Sequence, residues 1–226
     1  MTEHFNSASV RGWRFFLSST KGPFVTVMLQ RVRSSIQAPK IALPRMKAPY
    51  GVQTAMGAAS NPRANKNMEL NIVHPLLKEL LESASVRMLE FVLEGDNRVK
   101  LFGSALSDEE VSAKHRPIVI ESTNELYGPR IRVKIAPAQK VQVFVSAGVY
   151  PVRDTTTDGT FADIQPGDDV IATVKLVPYV HGGYFGISCT CTDAVLHKRV
   201  TEPVSDAPKY DANEPEVVSV FDEYAQ

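Results

Sequence analysis

Two alternating apolar runs, Val170 to Val180 and Tyr184 to Val195, flank the step His181-Gly182-Gly183. Successive strand side chains point to opposite faces, and glycine takes the positive φ angles that a tight hairpin turn needs, so the pattern predicts a β-hairpin with one buried face. Tyr179 and Tyr184 stand on the shoulders of the turn and display their rings at its mouth. Cys189 and Cys191, the two cysteines of the chain, are spaced two apart and share one face of the second strand. A disulfide between them is geometrically unfavourable and zinc would need partners that only His181 or His197 could supply, so they are expected to be buried free thiols.

The rest of the chain reads as further short strands around one helix. Strands are expected at Phe24–Val32, Lys40–Pro44, Asn67–Val73, Pro117–Glu121, Arg130–Ile135 and Val141–Ala147. Pro75 suits a first helical position, and Leu77, Leu80, Leu81, Ala84, Met88, Phe91 and Val92 form one helical stripe that Gly95 ends, which predicts a helix over about 75–94. Ser107 and Glu110 sit at capping-box spacing and predict a short helical turn. The stretch Arg45–Asn65 is punctuated by Pro and Gly and reads as a long loop, Val152–Gly159 as a hairpin excursion, and Ile164–Asp169 as a tight turn. Many short strands with one substantial helix between the early and late groups fit a mainly β fold, an OB-like Greek-key barrel of short antiparallel strands, better than a two-sheet sandwich with an inserted helix.

The formal net charge of zero hides an asymmetry. Residues 1–66 hold ten Lys and Arg against Glu3 alone, a balance of +9, whereas residues 202–226 hold seven acids against Lys209, a balance of −6. Pro203, Pro208 and Pro215 punctuate that acidic end, so no regular structure is expected there. Three units follow: an N-terminal extension over 1–22, a barrel domain over 23–199 and a flexible acidic tail over 200–226. Trp13, Phe15 and Phe16 in the first unit suit a strand or an oligomer contact.

Cations and rings recur together in the strand-rich part. Arg45, Lys47 and Tyr50 fall within six residues, and Arg130, Arg132 and Lys134 alternate with Ile131, Val133 and Ile135, which puts three cations on one face of a strand and an apolar face behind them. Cations meet phosphates and flat rings meet bases, since every base offers a π-face. Arg31, Arg33, Arg63, Lys66, Tyr179 and Tyr184 complete the candidate contact set. Alternating Arg and Lys is also a device that keeps an edge strand soluble.

Catalytic chemistry finds no foothold in the pattern. Neither common phosphate-binding glycine loop, no His-Glu-x-x-His and no nucleophile elbow occurs. The five histidines show no ligand spacing, and Asp154, Asp158, Asp168 and Asp169 lie in turn sequences where aspartate bonds its own backbone. No catalytic residue, metal site or cofactor is therefore expected. No apolar run approaches the length of a membrane span and no signal-peptide core is visible, so an intracellular protein without membrane contact is expected. Glu3 and a modest arginine density argue against an organellar leader in residues 7–20.

Three segments carry a family resemblance: Leu43 to Val52, Tyr127 to Ile135, and the hairpin from Pro166 to Ser188. On these the chain resembles the OB-fold single-stranded DNA-binding proteins of large DNA viruses, and more loosely those of short-tailed bacteriophages that end in an acidic, aromatic tail. The resemblance spans roughly residues 24–196. It implies a protein that coats and protects unwound DNA at the site of replication, recombination or repair, without sequence specificity. It also implies a tail whose Phe221, Asp222, Glu223 and Tyr224 engage replication proteins, and it leaves homo-oligomers open. The readings from other classes are a coat-like viral structural β-protein and a protein-interaction module. A coat subunit would carry its cations in an arm, whereas here many are interleaved with strand-forming residues.

Overall fold

The computed structural model describes residues 13–19, 25–31, 38–54, 66–122, 128–135, 140–146 and 155–199. In chain order these form β1 (Trp13–Ser19), β2 (Val25–Arg31), β3 (Lys40–Ala42), β4 (Met46–Ala48), β5 (Val52–Thr54), β6 (Lys66–Asn71), α1 (Pro75–Leu93), α2 (Asn97–Phe102), α3 (Asp108–Lys114), β7 (His115–Arg116), β8 (Val119–Ile120), β9 (Arg130–Ile135), β10 (Lys140–Ser146), β11 (Thr155–Thr160), β12 (Asp168–His181) and β13 (Tyr184–Arg199). The fold is mainly β with one substantial helix, as the patterning requires.

The sheet closes on itself. β12 pairs β13, β13 runs parallel to β9, β9 pairs β6 and β6 pairs β5. The bent segment 40–54 completes the ring, because its first pieces β3 and β4 pair back onto β12. Closure turns one face of the ring strands inward, where Met68, Leu70, Ile131, Val133, Val174, Leu176 and Cys189 lie at 1 % exposure or less. The ring is the OB-like barrel expected, with β10 and β11 extending it beyond β13.

Local chemistry sets the elements. α1 starts on Pro75 and buries Leu77, Leu80, Leu81, Ala84, Met88 and Val92 along one stripe. At α3 the Ser107 hydroxyl accepts from the Glu110 amide at 3.2 Å, and the Glu110 carboxylate accepts from the Ser107 amide at 2.8 Å. Gly182 and Gly183 both take positive φ, 58° and 78°, and close the β12–β13 hairpin as a two-residue turn. Cys189 and Cys191 are free and buried.

Three departures are informative. Thr155–Thr160 is strand, paired antiparallel with β10, where the sequence suggested a loop; three consecutive β-branched threonines suit a ladder better than an excursion. β4 and β5 fall inside the expected loop 45–65, whose residues 55–65 lie outside the described ones. β1 pairs β2 across the boundary drawn at residue 22, Trp13 is 6 % exposed, and the Phe15 ring lies 5.9 Å from that of Phe91 on α1. The expected acidic tail, 200–226, lies outside the described residues.

Candidate nucleic-acid interface

β9 supplies the centre of the outer face. Ile131, Val133 and Ile135 are buried, so strand alternation turns Arg130, Arg132 and Lys134 outward as expected. The neighbouring strand modifies that row. β6 places Glu69 opposite Arg132, at 7 % exposure, and its Oε1 accepts from Arg132 Nη2 at 2.7 Å and from Nε at 3.2 Å. Arg130 Nε stands 3.6 Å from Glu69 Oε2. Two of the three cations are thus tied to one carboxylate.

The face continues across the hairpin. Lys134 is level with Thr190 of β13, Thr190 with Lys175 of β12, and Lys175 with Lys40 of β3. Residues level with one another across paired strands share a face, so Lys134, Lys175 and Lys40 make a lysine row running across the strands. Outward parity in the alternating run 170–180 marks Lys175, which the sequence reading passed over. The register that brings Lys40 beside it has no local signature.

Each ring of the candidate set is matched with a cation. Lys134 Nζ lies 5.5 Å from the centroid of Tyr179, Arg116 Cζ lies 3.9 Å from that of Tyr184, and Arg130 Cζ lies 5.3 Å from that of Tyr50 while its Nη1 donates to the Tyr50 hydroxyl. Tyr50 and Tyr184 are exposed and Tyr179 is half-buried. Burial pushes the Tyr179 phenol up against the opposite pull of Arg116, so it keeps its proton at neutral pH. Arg116 was absent from the sequence-derived set, because a two-residue strand shows no periodicity.

Gly186 explains how Arg116 arrives there. β7 runs parallel to β13 with Arg116 level with Gly186, and a Cβ on Gly186 would overlap the Arg116 carbonyl oxygen and sit 3.3 Å from the Tyr179 hydroxyl. Only a residue without a side chain lets the two backbones and the ring meet.

The remaining candidates scatter. Lys47 is level with Asp169, and Arg45 Nη2 lies 3.1 Å from His197 Nδ1. Tyr179 is ten residues further along β12, about 33 Å of extended strand, so Arg45 and Lys47 form a second cluster at the base of the hairpin rather than one patch with Tyr179 and Tyr184. Lys66 opens β6 on the parity of the buried Met68 and Leu70, away from the cation face. Arg31 ends β2 without a described side chain, and Arg33, Arg63, Phe221, Asp222, Glu223 and Tyr224 lie outside the described residues. Among the described residues, no group of three or more His, Cys, Asp or Glu could hold a metal ion, and no helix is long and apolar enough to cross a membrane.

The chain is similar to gp2.5, a single-stranded DNA-binding protein encoded by bacteriophage T7, at 14 % identity over 74 % of this chain and 96 % of that one, with a TM-score of 0.43. It is also similar to the single-stranded DNA-binding protein from bacteriophage Enc34 in a C-terminally truncated form, at 10 % identity over 82 % and 95 % of the two chains, with a TM-score of 0.37. No family model and no curated protein matches the chain.

Proposed function

We propose that the outer face of the barrel binds single-stranded DNA through phosphate contacts and base stacking, without sequence specificity. The observation that carries this reading is the pairing of three rings with three cations, Tyr50 with Arg130, Tyr179 with Lys134 and Tyr184 with Arg116, on a barrel whose other face is core. A ring needs an unpaired base face to stack on, a cation needs a phosphate, and their alternation follows the repeat of a single strand. Duplex DNA hides its base faces, so the rings favour the unwound form. Coating and protecting unwound DNA during replication, recombination or repair is the role that fits such a surface. The acidic end, with Phe221, Asp222, Glu223 and Tyr224, is the part we assign to replication partners.

A salt titration of binding to oligo-dT and to duplex of equal length tests the reading, because the slope counts phosphates neutralised, at about 0.7 per contact for a single strand. A steep slope and clear preference for oligo-dT are expected. Equal affinity for both, or none for either at low salt, would sink it.

A further inference from the structure

We propose that the cleft between β8, β9 and β13 takes one nucleobase, unstacked from the bound strand, with the phosphates on its two sides meeting Arg116 and Lys134. The proposal rests on the single-strand reading above and adds to it a site for a base.

The cleft comes from a parting of strands. β9 and β13 are level at only two described residue pairs, Val133 with Cys189 and Lys134 with Thr190. Beyond them the strands separate, β7 takes the edge of β13 and β8 takes the edge of β9. The gap is a cavity of about 300 Å³. That is the lower end of the range for small-ligand pockets, enough for one heterocycle rather than a stacked pair.

Its walls differ from the rest of the face. Ile118, Ile120 and Ile187 give it an apolar floor, while Tyr179 and Ser188 stand at the side. Arg116 and Lys134 lie on its rim, and none of its lining residues is acidic. Arg132 also lines it, but its guanidinium is held by Glu69, so Arg116 and Lys134 are the cations we assign to phosphates. Ser188 Oγ donates to the Val177 carbonyl at 3.1 Å, which leaves its lone pairs to accept an N–H from the edge of a base. An apolar floor with two rim cations and a hydroxyl acceptor matches a base between two phosphates. An extended stacking surface has no use for a recess.

The test compares oligo-dT with an abasic deoxyribose-phosphate oligomer of equal length, using the full chain and Ser188→Leu, which fills the recess without adding a ring. Wild-type protein is expected to favour oligo-dT by about fivefold or more, since stacking on even one base is worth that much. Ser188→Leu is expected to lose the share of that preference that one base supplies, about fivefold, while the exposed rings keep the rest and the salt slope is unchanged. A preference unchanged in Ser188→Leu overturns the base site and leaves single-strand binding standing; binding of neither oligomer by wild-type protein overturns the single-strand reading itself. Should Ser188→Leu fail to fold, amide shifts of wild-type protein decide. Thymidine 3′,5′-bisphosphate is expected to move Ile118, Ile120 and Ser188 saturably, and its abasic counterpart to leave them in place. Equal shifts from both compounds, or from neither, overturn the site.

Discussion

Lys134 and Arg132 sit two residues apart on one face of β9, yet their surroundings give them different roles. Arg132 is held by Glu69 in a two-pronged contact, while Lys134 lies over the Tyr179 ring. A cation already neutralised by a buried carboxylate releases fewer counterions when DNA arrives. Lys134→Ala is therefore expected to lower the salt slope by about 0.7, and Arg132→Ala by less than half of that, as read from anisotropy titrations over a salt series. Equal losses from both variants would mean that Glu69 lets go of Arg132 on binding. His115 provides a second residue-scale test. Burial, and then the charge of Arg116, hold its imidazole below the usual histidine range, and its Nε2 is 3.2 Å from Ser85 Oγ. The folded form resists the proton that the unfolded chain takes, so stability present above about pH 6.5 is lost as pH falls toward the lower folded value. Urea midpoints should decline on acidification through that window, and His115→Gln should flatten part of the decline. His197, also held low by burial and by Arg45, accounts for a further part.

At the scale of elements, the approach of β7 to β13 depends on one missing side chain. Gly186→Ala puts a methyl group against the Arg116 backbone and is expected to cost about 1–3 kcal/mol, the usual range for overpacking. Thermal unfolding should register this as a lower midpoint, and binding should weaken because Arg116 shifts with β7. A variant as stable as wild type would show that β7 yields freely. The same region marks where reading from sequence stops. α1, β9 and the β12–β13 hairpin were legible because each carries its own period: a stripe every three to four residues in the first, strict alternation in the others. β7 and α2 are two and six residues long, too short for a period to emerge, and β7 owes its form to the edge it completes, whereas β8 falls inside the strand expected at 117–121. The cation face was legible in the same measure. Arg130, Arg132 and Lys134 follow from alternation, but Glu69 beside Arg132 and Lys40 beside Lys175 are matters of register between distant strands.

For the molecule as a whole, charge is divided along the chain, and the acidic end is expected to compete with DNA for the cation face. Removing residues 202–226 deletes a balance of −6 and is expected to tighten single-strand binding at low salt, with the gain shrinking as salt rises and screening shortens the reach of charge. A truncated chain that binds no tighter at low ionic strength would leave the tail to partner docking alone. The closed ring has a further consequence through the two thiols. Cys189 and Cys191 both point into the barrel, and burial pushes the Cys189 thiol up to about 12. Both sulfurs are buried, so neither meets an alkylating reagent until β13 leaves its neighbours, and at Cys189 the reactive thiolate is suppressed as well. The chain therefore carries a clock on its own seam: labelling at neutral pH times the opening of the ring. A bound strand lying across β9, β12 and β13 should slow that clock, with mass spectrometry counting the labels, and an unchanged rate would mean that DNA grips the surface without holding the barrel shut.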